Sequence, residues 1–398
     1  MTNQENKVAN QQKHPGIDVR NIGAPIRFTN VQDISGFSAE PGKGGDTIKI
    51  WTRMAITSDE PLFHRLVEGL ADIVNHMAQQ AGTAVNLRRV DTALLILKPD
   101  STAELWLDTA AVSLLCTVKR PMKAGTVIFE NDIADVTGMS FPCVDINAKD
   151  RVLCVFRQDW RFGFAFDMNP EGKFDLDGFN KTLGTLYRKM RYKHLYEAIG
   201  ETPAFDRLLG SGWFPFVEII NGEFKDILRH SEAGFDMAEI EEKIINKFDS
   251  YRMNIILERW LGKPHFGAKT DLLKAAINSF NNHEPISVIK ILLTEIEGIL
   301  NDAYRTVNNG QGAKIKKLLE FAESSAERKA GGSNTLLFPT AFCRYLREHT
   351  FADFNPSTQT GVASSRHAVG HGAASQESYT VTRALQTILT LDQLAFYT

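Results

Sequence analysis

The feature that most constrains the fold is a change in the spacing of apolar residues near residue 200. Before that point the apolar runs are short and several alternate, as in Phe162, Phe164 and Phe166, which is the period of a half-buried strand. Beyond it, apolar residues recur every three or four positions, as in the stripe Ile289–Leu300, which is typical of an amphipathic helix. The sequence therefore predicts an α+β protein, with an N-terminal domain built on a mostly antiparallel sheet with helices and a C-terminal all-α helical bundle.

The chain has 398 residues, more than one hydrophobic core normally serves, so several domains are expected. Composition and apolar spacing together divide it into four predicted segments. These are a flexible N-terminal segment over 1–45, an α+β domain over 46–200, a helical connector over 201–255 and a helical bundle over 256–398. The first segment is rich in Asn, Gln, Gly and Pro, and it holds one short predicted strand at Pro25–Phe28.

The same spacing predicts individual elements. Residues 47–57 alternate as one half-buried strand, and a helix follows with Pro61 in its first turn. Further strands are predicted at the runs ALLILK, AELWLD, VSLLCTVK, GTVIFE, RVLCVFR and RFGFAFDM, with Arg157–Trp160 as a hairpin turn before the last of them. Helical stripes predict helices near 176–195, 237–248, 313–329 and 337–350, and a last one that holds Ala384–Ala395. The spacing leaves open whether the helix at 237–248 continues through Ile255, Ile256 and Trp260.

Composition excludes some classes of protein. The net charge of −3 gives no long basic footprint, so any nucleic-acid contact must come from a local patch. The four cysteines form no CxxC pair and no zinc-knuckle spacing, which is typical of a reducing compartment. No apolar stretch is long enough to span a bilayer, and the polar N-terminus does not resemble a secretory signal. We therefore expect a cytoplasmic protein without membrane contact.

The segment with the clearest chemical content is Ser365–Gly372, with the sequence SRHAVGHG. It lies between polar loops and before a terminal amphipathic helix, so a rigid bundle would position it while the loops leave it accessible. Arg366 offers a permanently charged fork that matches phosphate oxygens, and His371 can exchange protons near neutral pH. RNA carries its own nucleophile, the 2′-hydroxyl. Its cleavage therefore needs a base, an acid and positive charge at the phosphorane, but no metal.

The spacing of Arg366, His367 and His371 resembles the Arg and His motif of the HEPN superfamily, here in the form RHxxxHG. The upstream segment IKILLTEIEGIL, residues 289–300, and the closing helix are similar to segments that accompany this motif. The resemblance implies a HEPN-like helical bundle that cleaves RNA without a metal. It also implies that Arg366 stabilises charge, that His371 shuttles the proton, and that His367 orients the phosphate or Arg366.

The resemblance further implies partners for the chain. HEPN modules commonly form homodimers, so we expect a homodimer through the C-terminal bundle, RNA as ligand and no cofactor. Glu297 stands before Gly298 and matches the acidic residue that supports the motif, with Arg366 as its candidate partner. A half-buried carboxylate at Glu295 or Glu297 would need such a partner, whereas a solvated helix edge would not.

Other interpretations of these residues remain open. Arg366 and His371 are separated by about 140° around a regular helix, so they share a cleft only if the helix is distorted or two copies combine. Arg366 could instead pair with a carboxylate, and His371 before Gly372 could be an ordinary helix C-terminal residue. His367 and His371 have the i, i+4 spacing of zinc ligands. Ala368 stands where HExxH has Glu, however, and no third ligand is close in sequence, so no metal site is predicted.

Two further groups of residues could contact nucleic acid. Lys314, Lys316 and Lys317 form a modest basic surface for an RNA backbone, although a solvated helix face is the ordinary interpretation. At the hairpin turn, Trp160 and Arg161 combine an aromatic ring with a cation, as a base-stacking or sensing platform would. The alternative there is that Trp160 packs on the sheet.

Two functions follow from these patterns. The first is a metal-independent endoribonuclease, a toxin or antiviral-defence effector, whose N-terminal domain controls it by binding a signal or a protein partner. The second is a non-catalytic RNA- or protein-binding dimerisation module in a regulatory protein.

Overall fold

Neighbouring side chains of one central strand, Thr92–Leu97, enter two different hydrophobic cores. Leu95 and Leu97 belong to one buried cluster, and Leu94 and Ile96 belong to the other. Because successive residues of a strand point to opposite faces, this strand is covered on both sides. The computed structural model describes residues 19–330, 332–352, 354 and 361–398.

The central strand belongs to a six-stranded antiparallel sheet with the order β1-β6-β5-β9-β10-β4. Two smaller two-stranded sheets pair β2 with β3 and β7 with β8. In chain order the strands are β1 (Ile26–Phe28), β2 (Phe37–Ser38), β3 (Ile50–Trp51), β4 (Arg53–Thr57), β5 (Thr92–Leu97), β6 (Ala103–Leu107), β7 (Ser113–Val118), β8 (Ile133–Ser140), β9 (Arg151–Gln158) and β10 (Arg161–Asp167).

One long helix covers each face of the large sheet. Helix α1 (Pro61–Gln80) starts at a proline and buries a helical stripe that includes Leu66, Leu70 and Val74 against the first core. Helix α2 (Leu176–Arg191) buries Leu183, Leu186 and Met190 in the second core. Its cap is Asp175, whose side chain accepts a hydrogen bond from the Gly178 amide at 2.9 Å. The sheet and the two helices thus form three layers that enclose the two cores.

The described chain divides into two compact units. The first contains the residues up to Leu115 together with Val136–Lys193, and the second contains Cys116–Asp135 and His194–Thr398. The predicted connector, 201–255, and the predicted bundle, 256–398, both lie within the second unit.

Helices dominate the second unit. They are α3 (Lys193–Gly200), α4 (Thr202–Gly210), α5 (Glu223–Ala233), α6 (Met237–Ile245), α7 (Ser250–Leu261), α8 (Pro264–Gly267), α9 (Thr270–Asn281), α10 (Pro285–Val307), α11 (Ile315–Ala330), α12 (Pro339–Tyr345), α13 (Arg366–Gly370) and α14 (Val381–Tyr397). None of the helices in the described ranges has the length and hydropathy that a bilayer span requires.

Helix α14 is buried on almost every side although it contains polar residues. The Gln386 side chain donates to the Ser211 carbonyl at 3.0 Å. The Gln393 side chain accepts from the Val217 amide at 2.8 Å and donates to the Leu337 carbonyl at 3.0 Å. These contacts satisfy the buried amide groups and fix α14 against the loops that surround it.

A cluster of buried charges joins α7 to α14. Arg259 forms ion pairs with Asp392 on α14 and, at 3.1 Å, with Glu218. Arg252, about two helical turns earlier, pairs with Glu218 at 3.0 Å and with Glu223 at 2.7 Å. The alternation of opposite charges compensates the cost of removing each of them from water.

The predicted α+β class is confirmed, and so are the strand near Pro25 and the hairpin turn that ends at Trp160. Two element predictions are wrong. The single strand over 47–57 is two strands in different sheets, and the GTVIFE run is not a strand. The helix that begins at Met237 does not continue to Trp260, because it ends at Ile245 and the Asp249 side chain caps a new helix by accepting from the Arg252 amide. Residues 1–18 of the predicted flexible segment and 355–360 of the loop before Ser365 lie outside the described residues.

Candidate active site

The predicted motif forms a short helix, α13, whose two ends are set by its own sequence. The Ser365 hydroxyl accepts a hydrogen bond from the Ala368 amide at 3.4 Å, so Ser365 is the N-cap. His371 is the C-cap, and Gly372 follows with φ of +67°, a conformation that glycine adopts without strain. The helix is five residues long, so it presents Arg366 and His371 at its opposite ends.

The segments that flank α13 are held together at its base. Gly361 and Ala374 form a parallel β-bridge, and the Ser375 amide donates to the Gly361 carbonyl at 3.0 Å. The Ser378 hydroxyl accepts from the Ala363 amide at 2.9 Å. The helix is therefore part of a closed loop rather than an extended arm.

Arg366 is anchored to the bundle by the carboxylate that the sequence indicated. Its Nη2 lies 2.8 Å from the Glu297 Oε2 on α10, and both side chains are about one-third exposed or less. Glu295, two residues earlier, pairs instead with Lys269 at 2.7 Å. The Nε of Arg366 is buried and has no hydrogen-bond partner among the described residues. Arg366 thus keeps one donor without an acceptor.

The two histidines differ in accessibility. His371 is exposed, and His367 is half-buried. Within the described part of the chain, neither imidazole forms a hydrogen bond or an ion pair, and nothing joins Arg366 to His371. By helical geometry these two side chains leave α13 in directions about 140° apart. One chain therefore brings Arg366 to Glu297 but does not bring Arg366 to His371.

The basic residues predicted to bind RNA are exposed. Lys314 precedes α11, and Lys316 and Lys317 lie in its first turn. The Lys317 ammonium lies 5.6 Å from the centre of the Tyr304 ring, which is a cation–π contact. The three lysines form a small solvent-facing basic surface on α11. Their part in RNA binding stays a prediction.

Sequence reasoning missed a second arginine and histidine with the spacing of Arg366 and His371. Arg344 on α12 and His349 are also five positions apart. Arg344 pairs with Asp206 at 2.6 Å and with Glu348 at 2.8 Å. The spacing could have drawn attention to these residues, but the contacts of Arg344 make it a surface ion-pair residue.

His349 lies in a polar interior environment. It belongs to a short π-helical segment, Leu346–Thr350, a feature that often occurs at functional sites. Its ring stacks on Tyr345 at 4.9 Å, and its Nε2 lies 3.1 Å from the Arg383 Nη1. Burial, and then the nearby Arg383 charge, lower the pKa of His349 to about 3. His349 is therefore neutral at physiological pH and accepts a hydrogen bond from Arg383.

The structure of the hairpin tip in the first unit contradicts one of the two interpretations given for its sequence. Trp160 is 69% exposed, so it does not pack on the sheet. Instead the Arg161 guanidinium lies 3.9 Å from the centre of its ring. Arg157 pairs with Asp91 at 2.7 Å. The tip therefore presents a tryptophan whose ring is stacked with a cation.

Over the ranges that the structure describes, no group of three or more His, Cys, Asp or Glu side chains is arranged to hold a metal ion. His367 and His371 thus have no third ligand of these types beside them. Comparison of the chain with models of protein families, with curated proteins and with solved structures finds no match. The likeness to HEPN proteins therefore depends on the residues of the motif and of α10 alone.

Proposed function

We propose that the chain is a metal-independent endoribonuclease of the HEPN type, with Arg366, His371 and His367 as catalytic residues. The observation that supports the proposal is the set of contacts that Arg366 makes. Its guanidinium is held to the bundle by Glu297 at 2.8 Å, yet its Nε donor has no acceptor in the described structure. That Nε is buried, but about a third of the Arg366 side chain is exposed, and a phosphate oxygen would bind this exposed part. The fork of an arginine matches phosphate geometry.

The chemistry needs only groups of this kind. The 2′-hydroxyl of RNA attacks the adjacent phosphorus, and the 5′-oxygen of the next nucleotide leaves. A histidine removes the 2′ proton and returns a proton to the leaving oxygen, so charge and atoms balance and the products are a cyclic phosphate and a 5′-hydroxyl. In this scheme His371, which is exposed, shuttles the proton. Arg366 stabilises the phosphorane and His367 orients the phosphate.

The geometry of α13 favours a site shared by two copies of the chain. Arg366 and His371 leave the helix about 140° apart, so one copy would supply each group to a given phosphate. A two-fold axis near α13 would place both sites symmetrically, as isologous dimers do. Lys314, Lys316 and Lys317 would then bind flanking phosphates through their exposed ammonium groups.

The biological role completes the proposal. A ribonuclease that acts on cellular RNA would need control, and the first unit offers a separate domain for a signal or a protein partner. The exposed Trp160 at its hairpin tip suits such contact. We propose a toxin or antiviral-defence effector that acts in the cytoplasm on RNA.

A non-catalytic RNA- or protein-binding dimerisation module is the second candidate function. The ion pair between Arg366 and Glu297 favours it, because a paired guanidinium has less charge to offer a phosphorane. In that case Arg366 holds α13 to the bundle, and the loop serves as a binding surface.

Cleavage of total RNA in EDTA by the purified full-length chain tests the first function. We expect Arg366→Ala and His371→Ala each to lower the rate at least a hundredfold, because each removes a group that acts in the transition state. His64→Ala, at an exposed histidine of α1, is the matched control and should cleave as the wild type does. Cleavage that survives either active-site substitution contradicts the assignment. RNA binding and dimerisation without cleavage favour the second function.

Mixing the two inactive variants tests the shared site. If Arg366 and His371 act from different copies, a mixed dimer of Arg366→Ala and His371→Ala contains one intact site. Subunit exchange should then restore about a quarter of the wild-type rate, because half of the dimers are mixed and one site in each of them is intact. Mixed dimers without recovered cleavage would exclude a site built from two copies.

A further inference from the structure

A second group of polar side chains surrounds a cavity of about 300 Å³ at the start of α14. The residues that line it come from α6, from the segment before α13, from the segment that leads into α14 and from the first turn of α14. They are Glu241, Val362, Ser378, Thr380, Thr382 and Arg383. None of them belongs to the proposed ribonuclease site. The volume lies at the small end of the range for small-molecule sites in proteins.

Arg383 borders this cavity with part of its guanidinium unused. All of its side-chain hydrogen bonds to described residues come from Nη1, which lies 2.7 Å from Gln386 Oε1, 3.1 Å from His349 Nε2 and 3.3 Å from the Ser211 carbonyl. The Nε and Nη2 groups donate to no described residue, and no described carboxylate lies within ion-pair distance. Arg383 is therefore a fixed cation whose remaining donors are available to a ligand.

Glu241 supplies an acceptor to the same cavity. Its Oε1 accepts from the Trp213 indole at 2.9 Å, and its Oε2 accepts from the Thr382 hydroxyl at 3.3 Å. These two contacts orient the carboxylate and leave about half of its lone pairs unused. Within the described chain Glu241 and Arg383 form no ion pair with each other. The cavity thus has an anchored cation and an anchored acceptor that do not neutralise one another.

We propose that this cavity binds a small phosphorylated molecule that carries hydroxyl groups, such as a mononucleotide. The phosphate lies against the free Nε and Nη2 of Arg383, because the guanidinium fork matches two phosphate oxygens. Hydroxyl groups of the ligand donate to Glu241, which disfavours a ligand made of phosphate alone. The hydroxyls of Ser378 and Thr380 at the cavity wall provide further polar contacts.

His349 acts as a positioning residue for this site. It lies behind Arg383 and accepts a hydrogen bond from Nη1. Because its pKa is lowered to about 3, chiefly by burial, the ring stays neutral and adds no second positive charge. The contact holds Nη1 toward His349, while Arg383 borders the cavity. The contacts of Arg383 with Gln386, His349 and Ser211 fix its side chain, which lowers the cost of ordering it on binding.

Isothermal titration calorimetry of the full-length chain with adenosine monophosphate, inorganic phosphate and adenosine tests the proposal. We expect the monophosphate to bind more tightly than phosphate or adenosine, because only it engages both Arg383 and Glu241. Arg383→Gln should weaken its binding about tenfold or more. Equal binding of phosphate and adenosine monophosphate would contradict the part assigned to Glu241, and absence of binding by the wild type would overturn the proposal.

A second pair of variants leaves the buried contacts of Arg383 intact. Val362 is 52% exposed at the cavity, so replacing it should not disturb the fold. Val362→Glu should pair with Arg383 and weaken binding at least tenfold, whereas the neutral Val362→Gln should bind nearly as the wild type does. Unchanged binding by Val362→Glu would overturn the proposal.

Arg366→Ala separates this site from the ribonuclease site. It should bind adenosine monophosphate as the wild type does, even though RNA cleavage is expected to be lost. Binding that disappears in Arg366→Ala and persists in Arg383→Gln would place the phosphate at the other arginine and overturn the proposal. Failure of the ribonuclease assay alone leaves the binding result unaffected.

Discussion

At the scale of single residues, the buried carboxylate of Asp392 is the clearest departure from a purely apolar core. It is 1% exposed in the middle of α14, where it accepts from Arg259 and, at 3.0 Å, from the Trp260 indole. Burial raises the pKa of Asp392 to about 6, and Arg259 opposes that rise. The negative charge of Asp392 is therefore stabilised by its fixed partners, Arg259 and Trp260. These contacts specify how α7 and α14 align.

Replacement of Asp392 should be costly. Asp392→Ala leaves Arg259 with one carboxylate instead of two and leaves the Trp260 indole without an acceptor. We expect the free energy of unfolding to fall by about 3–5 kcal/mol, measured by urea denaturation. Glu239→Ala breaks an exposed i, i+4 pair with Lys243 and should change stability by no more than about 0.5 kcal/mol. Equal stabilities for the two variants would show that the buried cluster contributes little.

Some single-residue contacts could be predicted from sequence and others could not. Arg366 was a candidate partner for an acid on α10, because a half-buried carboxylate on an apolar stripe requires a cation, and the structure pairs it with Glu297. The choice of Glu297 over Glu295 came from the resemblance to the HEPN motif, and burial alone left a solvated helix edge open. The contact between His349 and Arg383 was missed. Each of these residues looks ordinary on its own helix, and no periodicity reports which side chains meet across two helices.

At the scale of elements, strong helical periodicity was a reliable guide and strand-like composition was not. Helix α1 begins at the predicted Pro61, and helix α14 includes the predicted Ala384–Ala395. The proline marks the start of α1, and the Thr380 side chain caps α14. The GTVIFE run has high strand propensity but has no partner strand in the described structure. Strand β8 was missed because Asp135, Thr137 and Gly138 interrupt its apolar pattern. Whether the GTVIFE run and β8 form strands depended on pairing with strands that are distant in sequence.

The contact of α2 with β8 depends on two glycines. A Cβ added to Gly184 would lie 2.5 Å from the Gly138 Cα and 2.7 Å from its amide nitrogen. Gly184→Ala should therefore force α2 from the strand and lower stability by about 1–3 kcal/mol, measured by thermal unfolding. Gly200→Ala in α3 is the control, because nothing lies within 4 Å of its added Cβ. It should be neutral or stabilising by up to about 1 kcal/mol. A stable Gly184→Ala protein would disprove the close packing.

At the scale of the whole molecule, the helical unit is built from two separate parts of the chain. Asp135 is buried and accepts from the Thr335 hydroxyl and, at 3.2 Å, from the Leu336 amide. The Lys119 carbonyl accepts from the Arg259 Nε at 2.8 Å. The composition of the last 200 residues predicted their helices but not this insertion, because segment 116–135 carries no helical pattern.

The predicted bundle 256–398 should not be stable as an isolated fragment. It lacks the segment with Lys119 and Asp135, and it lacks the aromatic residues Phe214 and Phe216, which are fully buried in this unit. We expect no cooperative thermal transition by circular dichroism, in contrast to the full-length chain. Fragment 194–398 should gain stability when a peptide of residues 116–135 is added. A cooperative transition in 256–398 alone would contradict this view of the unit.

The inserted segment also affects the order of events on the ribosome. Residues 116–135 emerge long before the helices that receive them, and at roughly 5–20 residues per second the wait is on the order of ten seconds or more. During that interval Asp135 lacks its contacts with Thr335 and Leu336, and the Lys119 carbonyl lacks its contact with Arg259. The strands that flank this segment on both sides in sequence can already pair. Translation speed therefore influences how much of the nascent chain reaches the native state, and a chaperone that shields this stretch would act before synthesis is complete.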